Sequence, residues 1–201
     1  MKSSAKKISL TSVDDLFSTE ESRVDEQREK IVEIPLSELH PFKDHPFKVI
    51  DNEAMFDTAE SIKQYGVLVP AIARPREDGG YELVSGHRRK RACELASLET
   101  MPVIIRNLDD DAATIIMVDS NLQRENILPS ERAFAYKLKL SAMKRQAGRP
   151  AKENGSQVGN NLSGKKSSEL LAEQTGESKN QIFRYIRLTE LVPELLSMVD
   201  E

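Results

Sequence analysis

"VSGHRRKRACE", Val84–Glu94, is the stretch on which the reading of this chain turns. Four of its eleven residues are Arg or Lys, with His87 beside them. The strand-like run "YELVS" leads into it, Gly86 interrupts that run, and a helix-forming tail follows. A strand ending in glycine leaves the backbone free to turn tightly. The helix that follows presents unpaired N–H groups and a positive dipole end. Arg88, Arg89 and Arg91 add charge and bidentate donors at that end. In chemical terms this is a phosphate cradle. Taken alone, the run also fits a contact to a DNA backbone or the solvated face of a basic helix.

The surroundings of the run give the expected domain. "IVEIPLSEL" alternates like a strand from Ile31 to Ile34. "DNEAMFDTAESIKQYG" predicts a helix capped by Asp51 or Asn52, with Phe56, Ala59 and Ile62 on its inner face and Gly66 as its stop. "VLVPAIARP" predicts an edge or kinked strand, because Pro70 lies inside it. "REDGG" is a turn, and "YELVS" is its hairpin partner. "HRRKRACELAS" is a helix and "MPVIIRNL" another strand. "DDDAATIIMVDSNLQR" is a helix whose acidic first turn suits the helix dipole.

A second polar cluster ends that helix. In "DSNLQREN", Asp119–Asn126, the residues Asn121, Gln123, Arg124, Glu125 and Asn126 are dense in amide and charge. An Asn carbonyl oxygen can ligate a hard cation, and Arg124 can pair with phosphate. A capped helix exit would use the same residue types. Together with the Arg run, the cluster suggests a nucleotide or phosphate site assembled from separate loops.

Pro129 opens a second, helical section as a good first helical residue, and "SERAFAYKLKLSAMKRQ" runs to about Gln146. Residues 147–166 fill with Gly, Asn, Ser and Lys and read as a flexible loop. "SELLAEQTGESKNQIFRYIRL" then has the pattern of a helix-turn-helix, about 167–189. Leu170 and Leu171 lie on a short first helix, Ala172 and Gly176 permit a close crossing, and Ser178 caps a second helix. Ile182, Ile186 and Tyr185 face inward. Lys179, Asn180, Gln181 and Arg184 stay outward and are of the types that read base edges and phosphates. With Lys165, Lys166, Ser167 and Ser178 they form the candidate DNA-binding set. A plain helical hairpin would share the helices but not this coincidence of turn, cap and polar face.

Composition sets the limits. The chain has 201 residues, 38% hydrophobic and 31% charged, with a net charge of -4. Nucleic-acid contact must therefore come from local basic patches. One cysteine, Cys93, excludes an intramolecular disulfide framework and reads as a packing residue in its helix; it fits a reducing compartment. No apolar run is long enough for a signal peptide or a bilayer span, which places the protein in the cytoplasm without a membrane partner. His40, His45 and His87 have no metal-ligand spacing. His87 reads equally as an acid–base group, a phosphate donor or a helix-start residue. Residues 1–30 are polar and read as a disordered arm, with one short helix at "TSVDDLF" capped by Ser12.

From about Ile31 to Glu201 the chain resembles the ParB-type partition proteins. The matching run extends from "ESIKQYGVLVPAIARP" through "VSGHRRKRACE" and "NLQREN", with the helix-turn-helix following where the family has one. The resemblance implies an α+β fold: a small mixed-sheet, ParB/sulfiredoxin-like nucleotide-binding domain over 31–126, then an all-α DNA-binding domain over 127–201. It also implies a CTP-dependent switch that closes a homodimer into a clamp on double-stranded DNA bearing a centromere-like site. Gly66, Leu68 and Pro70 would help hold the cytosine. Gly86, His87, Arg88, Arg89 and Arg91 would hold the triphosphate. Asn121, Gln123, Arg124, Glu125 and Asn126 would complete the site, with Asn121 contacting Mg2+. The arm would engage a ParA-type ATPase, and a C-terminal dimerisation module is expected beyond Glu201.

Two departures from the family pattern bear on catalysis. The family usually has Glu at the position of His87 and another Glu at the position of Ser120. Acidic groups there would organise metal and water for hydrolysis, so their absence weighs against CTPase activity more than against CTP binding. Two other functions are weighed beside this one. A nucleotide-independent transcriptional regulator would show DNA binding with no nucleotide effect. A ParB-like nuclease would need clustered carboxylates, and Asp109, Asp110 and Asp111 read instead as a helix start. Sulfiredoxin chemistry needs a Cys directly before the His–Arg pair, where this chain has Gly86.

Overall fold

The computed structural model describes residues 29–124, 127–148 and 166–201. The unit Ile31–Glu201 is built on a five-stranded mixed sheet. Its strands are β1 (Ile31–Pro35), β2 (Leu39–Pro41), β3 (Ala71–Pro75), β4 (Tyr81–Ser85) and β5 (Thr100–Ile105), in the order β1-β5-β3-β4-β2. The helices are α1 (Glu53–Tyr65), α2 (His87–Leu95), α3 (Asp110–Leu122), α4 (Pro129–Ala147), α5 (Ser167–Thr175), α6 (Lys179–Leu188) and α7 (Pro193–Asp200). This is the α+β class expected. The short helix proposed at "TSVDDLF" and nearly all of the loop 147–166 lie outside the described residues.

Strand alternation divides the core into two faces. Leu83 on β4 joins Ala71, Ala73, Met101 and Val103 against Met55, Ala59 and Ile62 of α1 and Ala92 and Cys93 of α2. Its neighbour Val84 points the other way, into a cluster with Phe42, Phe47, Ala113, Met117, Val118 and Ala135. α3 and α4 therefore cover the second face. A third cluster, Tyr136, Leu140, Met143, Leu171 and Ile182, joins α4 to α5 and α6.

Two expectations change. β3 is not an edge strand: it pairs antiparallel with β4 and parallel with β5. Pro70, which has no N–H to donate, sits just before the strand and not inside it. On α1 the inward residue is Met55, fully buried, while Phe56 is exposed. Met55, Ala59 and Ile62 follow the i, i+4, i+7 stripe, which Phe56 leaves.

The local signals hold elsewhere. The Asn52 side chain accepts from Met55 N and caps α1, and Asp109 accepts from Ala112 N and caps α3. Ser178 accepts from Gln181 N and caps α6. α7 forms at the "LVPELLSMVDE" segment but buries none of its residues. Its Asp200 accepts from Ser130 N and Oγ at the start of α4.

Candidate functional site

Gly86 starts the site. It has φ 111° and ψ 19°, the left-handed region, and occupies the N-cap of α2. A Cβ there would lie 2.8 Å from Ala71 Cβ. Only glycine lets the helix start this close to the central strand. The first-turn N–H groups of α2 thus open beside the sheet, with Arg88 and Arg89 next to them.

The four basic residues divide into two roles. Arg88 and Arg89 line a cleft with Ser85, Gly86 and His87. Lys90 Nζ instead donates to Leu39 O at 2.6 Å, and Arg91 forms ion pairs with Asp51 and Glu94. Lys90 and Arg91 hold β2 and the loop before α1, and neither lines the cleft. Arg89 Nη1 also donates to Val69 O and Pro70 O, each at 2.6 Å. Burial pulls the Arg89 guanidinium below its ordinary value, and no described carboxylate pairs with it or with Arg88.

The opposite wall comes from the end of α3, with Ser120, Asn121 and Arg124. The structure therefore brings together the two polar clusters that the sequence keeps some thirty residues apart. Asn121 Nδ2 donates to Met117 O at 2.8 Å, which turns Oδ1 toward Arg124 Nη1 at 3.5 Å. Gln123 lies on a different cleft, with Asp119, Arg132, Tyr136 and Lys139. Glu125 and Asn126 lie outside the described residues. Gly66 ends α1, and Leu68 is 80% exposed. Gly66, Leu68 and Pro70 are not on the cleft wall, and Pro70 reaches it only through its bond to Arg89.

The third wall was not singled out from sequence. His45, Phe47, Lys48 and Val49 line the cleft from the loop after β2. The His45 ring lies 3.9 Å from that of His87, centroid to centroid. His45 Nδ1 is 2.8 Å from Phe47 O, and Phe42 N donates to His87 Nε2 at 3.3 Å. Burial, then the neighbouring His45 and Lys90, push His87 down to about 3. Burial, with Arg124 adding to it, lowers His45 as well. "DHPF" carried no periodic or motif signal; only the long-range fold places it here.

The helix-turn-helix segment forms as α5, a left-handed Gly176 (φ 70°) and α6. Leu171 and Ile182 are buried between the helices and α4, with Leu170, Tyr185 and Ile186 packed beside them. Asn180, Gln181 and Arg184 are exposed on α6. Lys179 pairs with Glu169 of α5 at 3.4 Å. Lys166 and Ser167 start α5, and Lys165 lies outside the described residues. Among the described residues there is no group of three or more His, Cys, Asp or Glu able to hold a metal. No described helix is long and apolar enough to cross a membrane.

A mixed sheet with a basic cleft at a Gly-led helix, and two short helices joined at a left-handed glycine, are the features to set beside known proteins. Residues 20–122 match the model of the ParB N-terminal domain, and the chain belongs to the ParB family of partition proteins. It is 32% identical over 180 residues to Stage 0 sporulation protein J of Bacillus subtilis, covering 90% of this chain and 56% of that protein. It is 31% identical over 168 residues to the nucleoid occlusion protein of Listeria innocua, covering 84% of this chain and 52% of that one. Among solved structures, it is similar to the C-terminally truncated ParB of Caulobacter crescentus complexed to the centromeric parS site. That likeness has a TM-score of 0.52 and 28% identity, and covers 83% of this chain and 75% of the other. The chain spans about half the length of the curated relatives it matches.

Proposed function

We propose that this chain is the nucleotide- and DNA-binding part of a ParB-type partition protein. In this reading the cleft binds CTP, α6 reads a centromere-like site on double-stranded DNA, and CTP switches a homodimer into a clamp. The arm at residues 1–30 is the proposed contact for a ParA-type ATPase. The observation that carries the reading is the joining of Gly86, Arg88 and Arg89 with Asn121 and Arg124 in one cleft.

The residues fit such a ligand. Half-buried Arg89, and Arg88 with no carboxylate partner among the described residues, stand beside a helix N-terminus and attract an anion. The cleft volume of about 260 Å³ is below the roughly 300–1,000 Å³ typical of whole small-molecule sites. It suits the triphosphate end of a nucleotide. The base would lie toward the loop that Arg89 holds at Val69 and Pro70, with Gly66 and exposed Leu68 on that loop. Asn121 Oδ1 supplies one oxygen of the hard type that Mg2+ takes, the others coming from phosphate and water. No carboxylate is among the described lining residues, where His87 and Ser120 stand. Turnover is accordingly proposed to be slow or absent.

Calorimetric titration with CTP, ATP and GTP in the presence of magnesium tests this. CTP should bind selectively and the heat should vanish in Arg88→Ala. Absence of binding by every nucleotide, with or without a parS duplex, would leave a nucleotide-independent DNA-binding regulator as the better reading.

A further inference from the structure

His45 occupies a place in the cleft that the Arg run and the α3 cluster do not account for. Its Nδ1 is 2.8 Å from Phe47 O. A carbonyl oxygen only accepts, so Nδ1 carries the proton in the neutral ring and Nε2 carries a lone pair. That Nε2 is buried and has no hydrogen-bond partner among the described residues. His45 lines the cleft together with the cationic donors Lys48, Arg88, Arg89 and Arg124.

Resting on the reading of this cleft as a phosphate site, we propose that His45 is an anion-contact residue. It takes up a proton at Nε2 when a polyphosphate binds and donates that proton's hydrogen bond to a phosphate oxygen. The proton comes from solvent and no covalent bond to the ligand is made.

The groups facing His45 explain why the free and bound states differ. From α2, the His87 ring packs against it at a 45° tilt. From the end of α3, Arg124 disfavours a further positive charge. From α4, Glu131 favours one, but Glu131 already accepts from Lys48 N at 2.7 Å. In the free protein burial, with Arg124 adding to it, outweighs the Phe47 carbonyl and Glu131, and the His45 ring is held below its ordinary value. A polyphosphate brings several negative charges into contact, which offsets Arg124 and favours the imidazolium. His87 cannot play this part, because its Nε2 lone pair already accepts from Phe42 N. Protonating it there would break the bond that holds the loop.

The test is calorimetry of CTP and of inorganic triphosphate between pH 6 and 8, each in two buffers of different ionisation enthalpy. Wild type is compared with His45→Asn, whose amide can still donate to Phe47 O but has no group at Nε2. The ligand's own phosphate titrates in this range, so the difference between the two proteins is what is read. Wild type should take up as much as one proton more than the variant, and its affinity should rise by up to about tenfold more per pH unit of acidification. Nitrogen-detected NMR of the His45 ring, with and without inorganic triphosphate, reads the same event in wild type alone, should the variant not fold. Equal proton uptake by both proteins, or a ring that stays neutral in the complex, overturns the proposal while leaving nucleotide binding intact. Triphosphate binding with His45-linked uptake but no CTP preference keeps it and discards CTP as the ligand. Failure of both ligands to bind ends both readings.

Discussion

Glu131 Oε1 accepts a hydrogen bond from Lys48 N at 2.7 Å. Glu131 lies in the first turn of α4 and is only 6% exposed, while Lys48 is on the loop that walls the cleft. Its other oxygen accepts from Leu128 N at 3.4 Å. α4 packs against α5 and α6 through Tyr136, Leu140 and Met143. One side chain therefore joins the cleft loop to the helix on which the helix-turn-helix is built.

Glu131→Ala should be destabilising. It leaves the Lys48 N–H without its partner, at a cost of about 1–3 kcal/mol. Glu131→Gln keeps an acceptor oxygen and should recover much of that loss. Urea denaturation of the three proteins measures it, and CTP titration of the folded fraction should show the alanine variant weakened.

Gly86→Ala should cost more than its single methyl suggests. The backbone there is left-handed, and the added Cβ would meet Ala71 Cβ at 2.8 Å. Strain of this type costs about 1–3 kcal/mol, and α2 must also shift away from β3. A lowered thermal midpoint together with loss of CTP binding is expected. A variant as stable as wild type would mean that the turn relaxes freely.

Acid should destabilise the fold before the carboxylates titrate. His87 is held near 3 in the folded chain, against an ordinary 6.5. Above 6.5 the ring is neutral in both folded and unfolded states, and its linkage costs nothing. Below 6.5 the unfolded chain binds a proton that the folded one refuses, so stability falls as pH falls toward the folded value. The slope approaches about 1.4 kcal/mol per pH unit. Between pH 7.5 and 5.5 the loss from His87 should be about 1 kcal/mol, with His45 adding in the same direction. Urea melts of wild type and His87→Gln over that interval measure the difference, and parallel curves would refute the buried neutral ring.

On the helix proposed to read DNA, Gln181 and Arg184 are exposed and do not contribute to the buried contacts of α6. Arg184→Ala should weaken binding to a parS duplex by about 1–3 kcal/mol without unfolding the helix. If Arg184 contacts phosphate, the loss should be uniform across sequences, with a shallower salt dependence. If it reads a base, specificity should relax at one position. Fluorescence anisotropy at several salt concentrations, with circular dichroism as the folding control, separates the two.

The sequence alone was enough for those parts of the molecule governed by neighbours in the chain. Asn52, Asp109 and Ser178 cap their helices because a short polar side chain before a helix can reach an N–H of its first turn. Gly86 and Gly176 turn where the backbone must take positive φ. These signals placed helices and turns, while the Arg run and "NLQREN" marked the two clusters that meet in the cleft and carried the resemblance that implied the α+β class.

Tertiary structure decided what depends on residues distant in the chain. Strand pairing put β3 in the middle of the sheet, since both neighbours could use its backbone once Pro70 lay outside it. The exact stripe on α1 followed from the sheet it covers, which chose Met55 over Phe56. Ion pairing took Arg91 away from the cleft to Asp51. Packing of α3 against the sheet brought Asn121 and Arg124 to Arg88, and the parallel pairing of β2 with β4 put the loop carrying His45 beside His87. Burial, geometry and charge at a site are sums over such distant contacts, and no local pattern in the chain encodes them.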